Sequence, residues 1–340
     1  MRATAFIVAG FSLLPMSLHA QAKFNGTQFK TPDGVELHTR IYEPNAGGTS
    51  QPAILMVEGF GKSHLDKEPE SSPFFQLAEA LSQNGYVVMV YSKRGSASNA
   101  KNGSWAKSTF SSDNADAQSA LDFLKAYRGV DRENVYLFGQ SIGCLHVSIL
   151  AQKNKVKGVI AFAGGYQNFF TILEEQNIEI LRLMGKSPDE AKKATQPMML
   201  AYSQVKAGNF NCEKNKELCH QEDGANIVDD AQEAYLAEVF KMDPLKELAK
   251  ISAPVLVLQG TSDFVISTSE FDLAKKSLGA NKNFSFQLLE NVDHFMTLQK
   301  DKAASLKAMA AIKQTKTLGP LSTKLSAATE TWLKKQSYPQ

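Results

Sequence analysis

Phe138-Gly139-Gln140-Ser141-Ile142-Gly143 is the stretch that decides how this chain is read. It fits Gly-x-Ser-x-Gly, a turn in which a strand stops, a helix begins and one serine stands at the tip. Glycines flank the serine because the turn brings backbone segments so close that a Cβ would collide. A serine held there is exposed and lies at a helix N-terminus, where backbone N–H groups hold negative charge. Three fixed residues alone are a weak signal, and the flanks strengthen it. Val135-Tyr136-Leu137-Phe138 reads as a buried strand. Ile142–Lys153 has helical spacing with Leu145, Ile149 and Leu150 inward, and Val156–Phe162 reads as another buried strand.

Upstream of this unit, Thr31-Pro32-Asp33-Gly34 is a turn signal between the extended stretches Gly26–Lys30 and Val35–Glu43, which predicts an antiparallel hairpin. From Pro52 the pattern alternates: strand Ala53–Val57, helix Phe74–Gln83, strand Tyr86–Tyr91, helix Ser112–Tyr127 with Ser112 or Asp113 as its cap. Such alternation predicts a doubly wound, mainly parallel sheet. After Gly164-Gly165 the rhythm stops, and residues 166 to about 245 carry helical patterns such as Ile172–Leu183 and Ala231–Phe240. They read as a helical lid inserted into one domain. Strand, helix and strand return at Pro254–Gln259, Phe271–Ser277 and Phe284–Leu289, and a final helix, Leu321–Lys335, is expected to close the sheet edge.

Ser141 needs a base and a group to orient that base. In doubly wound sheets such groups lie just past the carboxyl ends of strands. Asp263 follows the strand Val255–Leu258, and His294 follows Phe284–Leu289. The order Ser, Asp, His is the one this strand–elbow–helix setting requires. Asp293 is a rival acid, but as the neighbour of His294 it should point elsewhere; His64 and His146 follow no late strand. An oxyanion would need two donors: the backbone N–H of Ile142, directly after the serine, and the N–H of Phe60 in Glu58-Gly59-Phe60-Gly61 after the first core strand.

The N-terminus reads as an export signal spanning residues 1–22: Arg2, an apolar run from Ala5 to Leu14, then Ala20-Gln21-Ala22 as a cleavage site, with cutting after Ala20 equally compatible. The run is shorter than the roughly 20 residues needed to cross a bilayer, and no later segment reaches that length. The domain proper then covers 23–340, in a periplasmic or secreted location. Without Arg2 the chain carries 36 basic against 35 acidic side chains, since the whole sequence has 37 and 35. That balance points to neither nucleic acid nor an anionic membrane as a partner. Cys212 and Cys219 flank a short polar stretch, and in an oxidising compartment that proximity suggests a disulfide. A zinc site is the rival reading, with only His220 nearby to complete it. Cys144 lies inside the helix after the elbow and ranks below Ser141 as a nucleophile.

From Thr31 to Lys335 the chain resembles the α/β-hydrolase superfamily, and is most similar to lid-bearing bacterial esterases of the esterase D-like and serine aminopeptidase-like groups. The elbow carries that resemblance, with Tyr91-Ser92-Lys93-Arg94-Gly95-Ser96, Asp116-Ala117, Phe123-Leu124-Lys125, Gly260-x-x-Asp263-x-Val265, and an insertion between His294 and Pro320-Leu321. It implies an α/β-hydrolase fold and hydrolysis of small-molecule carboxylic esters by Ser141, Asp263 and His294, without metal or organic cofactor. The chain departs from the pattern at Glu58, where many relatives have His; at Ser96-Ala97-Ser98, where Gly-x-Ser is usual; and at Cys144, in place of a second glycine. A peptidase or amidase, using Glu174 or Glu175 to hold an amino terminus, is the alternative within the same chemistry. A binding module without turnover is the alternative outside it. Oligomeric state is not legible in the sequence.

Overall fold

The computed structural model describes residues 24–45, 50–61, 65, 71–96, 107–210, 230–315 and 318–337. Residues 1–22, with the expected export signal, and Cys212 and Cys219, with the expected disulfide, lie outside the described residues.

Each core strand is an apolar run because both faces of the sheet are covered. In β3 (Gln51–Val57), Ala53, Leu55 and Val57 pack on one side while Ile54 and Met56 pack on the other. Among the described residues, β1 (Phe24–Lys30), β2 (Glu36–Tyr42), β3, β4 (Val87–Tyr91), β5 (Val130–Gln140), β6 (Gly158–Phe162), β7 (Val255–Gly260) and β8 (Phe284–Leu289) form one sheet. Its order is β1-β2-β4-β3-β5-β6-β7-β8. The expected hairpin is present as antiparallel β1 and β2, and β2 also runs antiparallel to β4. The remaining pairs are parallel.

On one face lie α2 (Phe110–Ala126), α3 (Gly143–Lys153) and, after β7, α8 (Thr268–Leu278). On the other lie α1 (Pro73–Gln83) and α10 (Thr323–Ser337). Two expectations need correction. Helix α2 is capped by Thr109, whose hydroxyl accepts from the Ser112 N–H at 3.0 Å while Ser112 Oγ accepts from the Thr109 N–H at 2.9 Å. Ser112 is therefore the reciprocal member of a capping box rather than the cap. Helix α10 does not close an edge. Its Trp332 lies over interior strands, 6.4 Å from the ring of Tyr136 in β5, in a space that a Cβ at Gly158 would invade at 2.6 Å.

Between β6 and β7 the chain is helical among its described residues: α4 (Phe169–Leu183), α5 (Pro188–Ala207), α6 (Asp230–Val239) and α7 (Pro244–Ala249). α4, α5 and α6 share a small core of their own. Tyr202 and Phe170 pack edge-on against Phe240 at 5.7 and 5.6 Å, and Ala201, Val205, Phe210 and Leu236 fill around them. Much of the insertion's apolar surface is thus consumed within it, although Met184 and Leu200 stay exposed. After β8 come α9 (Lys302–Thr315) and α10. Among the described residues no helix is long and apolar enough to cross a membrane.

Candidate active site

β5 runs straight into the elbow. Ser141 has φ 56°, in the left-handed region that a non-glycine residue enters at a cost on the order of 1–3 kcal/mol. The surroundings hold it there. A Cβ on Gly139 would lie 2.6 Å from the Gly143 carbonyl oxygen, and one on Gly143 would lie 2.3 Å from that of Val57. The Ser141 N–H donates to the Phe162 carbonyl of the neighbouring β6 at 2.9 Å. Ile142 is the N-cap of α3, so its N–H lies in the turn whose donors have no intrahelical acceptor. Cys144 is buried, and its thiol faces the Gly139 and Phe162 carbonyls at 3.2 and 3.3 Å. Burial pushes that thiol far up, so it stays protonated and inert.

The two expected partners of Ser141 meet. His294 Nδ1 lies 2.9 Å from Asp263 Oδ2. Asp263 is fully buried, and each of its oxygens is satisfied twice. Oδ1 accepts from the N–H groups of Val265 and Ile266, both at 2.8 Å, and Oδ2 accepts from Gln259 Nε2 at 3.0 Å as well as meeting His294. A carboxylate so surrounded fixes the imidazole with its Nδ1 proton toward Asp263 and leaves Nε2 as the acceptor. Asp293 points elsewhere, as its position predicts. It accepts from the N–H groups of Phe295 and Thr297 and from the hydroxyls of Thr297 and Ser305, all within its own corner. Gln140 Nε2 donates to the His294 carbonyl at 2.8 Å, tying the residue before the serine to the histidine loop. His146 is buried elsewhere, stacked on Phe110 with ring centroids 4.2 Å apart, with Tyr235 OH 3.2 Å from its Nε2. Burial, with Lys93 nearby, holds its pKa down to about 3. His64 lies outside the described residues.

The loop after β3 passes beside the elbow because β3 and β5 are adjacent. A Cβ on Gly59 would lie 3.0 Å from Ser141 Cβ and 3.5 Å from Ser141 Oγ, so glycine is what permits the approach. The ring of Phe60 lies 5.2 Å from Tyr235 of α6, joining this loop to the insertion. Arg94 is engaged by Asp33 at 2.9 Å and Asp116 at 2.5 Å. Lys93 donates to the Gly59 carbonyl, and Lys62 lies outside the described residues.

Ser141, His294, Gly59 and Phe60 line one cavity of about 480 Å³. The insertion supplies Phe169, Leu173, Ile180, Tyr202 and Leu236 to its wall; Phe264, Val265, Ile266, Phe295 and Met309 complete the apolar part, and among the described residues Glu58 is the one acidic residue in the lining. An uncharged, mostly apolar group fits such walls. Two polar residues around the site were not singled out from sequence: Gln259 and Gln140. The signal for Gln259 is a lone amide closing an otherwise apolar strand, Val255–Gly260.

Comparison with known proteins agrees with this architecture. The chain is 22% identical to Esterase EstD of Thermotoga maritima over 300 residues, which are 83% of this chain and 66% of that protein, so it spans about two thirds of that relative's length. Est1E from Butyrivibrio proteoclasticus, solved with ferulic acid bound, superposes with a TM-score of 0.59 at 14% identity, covering 92% of this chain and 99% of that one. A Pyrococcus furiosus esterase superposes with a TM-score of 0.55 at 13% identity, covering 97% and 96%. At such identities these structures speak for the fold alone. The model of the family described as serine aminopeptidase, S33, matches residues 53–301, well over half of the sequence, and the chain belongs to that family.

Proposed function

We propose that this protein is an exported serine carboxylesterase that cleaves esters of small to medium acyl groups through an acyl-enzyme on Ser141. One observation carries the reading: an imidazole tied to a fully buried, fully bonded carboxylate opens onto the same apolar cavity as a serine held in a strained elbow. In the proposed reaction His294 Nε2 takes the hydroxyl proton as Ser141 Oγ attacks the ester carbonyl carbon. Asp263 keeps the imidazole in the receptive tautomer and favours the imidazolium. The N–H groups of Ile142 and Phe60 receive the oxyanion. The proton then passes to the leaving alcohol, and water repeats the sequence on the acyl-enzyme. The helical insertion acts as a lid whose Leu173, Ile180 and Leu236 face the acyl chain. The esterase name of the Thermotoga maritima relative supports this choice of substrate class.

Export is part of the proposal and rests on Arg2, the apolar run and Ala20-Gln21-Ala22. Cys212 and Cys219 would then form a disulfide, which peptide mapping with and without reductant would reveal. Purified protein lacking residues 1–22 is expected to release p-nitrophenol from acetate and butyrate esters, and Ser141→Ala to lower kcat to the background rate, roughly 10⁶-fold. A wild type that neither turns over these esters nor is labelled at Ser141 by a fluorophosphonate would end the reading. An ester chain-length series measures the acyl limit set by the cavity.

An aminopeptidase is the second reading. It draws on the family description and on a neighbouring cavity of about 240 Å³, lined by Glu175, Glu179 and Glu270, that shares Gln176, Phe264 and Val265 with the first. Faster turnover of aminoacyl anilides than of esters decides for it.

A further inference from the structure

A lysine is an unexpected residue to find buried beside an oxyanion site. Lys93 is 5% exposed and follows β4, which neighbours β3 in the sheet. That adjacency brings the segment after β4 against the Glu58–Gly61 loop, across 34 positions of sequence. The ammonium donates to the carbonyl oxygen of Gly59. It is close enough to Asp113 and His146 to favour the carboxylate of one and disfavour protonation of the other.

The Gly59 carbonyl belongs to the same peptide unit as the Phe60 N–H. The described residues contain no cis peptide, so this unit is trans. In a planar trans peptide the C=O and N–H vectors point in opposite directions. Anchoring the oxygen on the Lys93 side therefore turns the N–H the other way. Gly59, Phe60 and Ser141 line the cavity, and a Cβ on Gly59 would lie 3.0 Å from that of Ser141. A cation on a peptide oxygen also draws electron density from the nitrogen, which makes the N–H a stronger donor.

We propose that Lys93 is the positioning residue of the oxyanion hole: it aims the Gly59–Phe60 peptide and polarises its N–H toward the developing charge. This assignment rests on the esterase reading and gives Lys93 no contact with substrate. It also accounts for a cation at the centre of Tyr91-Ser92-Lys93-Arg94-Gly95, while Arg94 is taken up by Asp33 and Asp116.

The test compares wild type with Lys93→Met, which keeps the stem and loses the charge, and with Lys93→Gln, which keeps a donor without charge. Steady-state hydrolysis of p-nitrophenyl butyrate is measured beside inhibition by a boronic acid that forms a tetrahedral adduct on Ser141. Lys93→Met is expected to lower kcat by about 10–100-fold, short of the loss seen when an oxyanion donor is removed outright. KM should stay within about twofold, and boronate affinity should fall by the same factor as kcat/KM. Lys93→Gln should fall between Lys93→Met and wild type in both measures. An active wild type with both variants equal to it overturns the assignment. So do variants that lose substrate affinity as much as they lose kcat. A wild type that hydrolyses no ester instead overturns the esterase reading beneath it, and the two failures are told apart by the wild type alone.

Discussion

Asp263 and Asp113 are both buried carboxylates, 0% and 4% exposed, in opposite kinds of surroundings. Asp263 sits past the end of β7 with directed partners for both oxygens. Asp113, in the first turn of α2, accepts no hydrogen bond at either oxygen. Burial pushes its pKa up to about 6, against the pull of Lys93 and Arg94 and with a further push from Asp116. The contrast separates two ways of holding a charge inside a protein. Donors placed by the backbone fix a carboxylate in position and orientation, as a group steering an imidazole requires. A diffuse field from nearby cations leaves the carboxylate costly and undirected.

The largest break in this contrast should come from Asp263→Asn. Oδ1 of the new amide keeps the N–H groups of Val265 and Ile266, so its NH₂ must face His294 Nδ1 and Gln259 Nε2, which donates. The imidazole then carries its proton on Nε2, toward Ser141, and kcat should fall by about 10⁴-fold as for a triad acid made neutral. Ester kinetics of the folded variant check this, and a loss under tenfold would contradict it. Gln259→Met removes one of the four partners and keeps the volume. It should cost about 1 kcal/mol of stability and up to roughly tenfold in kcat, read by denaturant melts and by the pH-rate profile. A profile and rate identical to wild type would show that the two backbone donors suffice for orientation.

Asp113→Asn is the smallest of these effects on activity and has the opposite sign on stability. The folded pKa of about 6 lies above the ordinary 3.8, so the folded state holds this proton more tightly than the unfolded chain does. Wild-type stability from this group is intact below about pH 4 and is lost as pH rises to about 6, by on the order of 2–3 kcal/mol. The variant, a mimic of the protonated form, should melt higher than wild type above pH 6 and equally near pH 4. A melting difference independent of pH would show that the field of Lys93 already compensates Asp113 in full.

The elbow and the positions of Asp263 and His294 were legible because each follows a strand at one edge of a parallel sheet, and strand ends can be read from apolar runs that stop. Gln259 was harder, since an amide at the end of Val255–Gly260 looks like any turn residue until Asp263 folds back on it four positions later. The bond from Lys93 to the Gly59 carbonyl was hidden by topology. The two residues are distant in sequence, and only the strand order β4-β3-β5 makes them neighbours. Ser112 reads as the cap in place of Thr109 because both belong to one reciprocal pair, three residues apart. The seat of α10 depended on Gly158 leaving room for Trp332, a match of hole to ring across the core that no local pattern encodes. The insertion was legible as helical, but the division of its side chains between cavity and internal packing follows from how its helices cross.

The left-handed backbone of Ser141 sets endurance against chemistry. Glycine would relax that position and keep the turn, so a lineage screened only for survival of heating would drift toward losing its nucleophile. On the proposed function only selection for turnover keeps a serine there, and a thermostabilised descendant of this protein should be assayed for rate before it is trusted for hardiness.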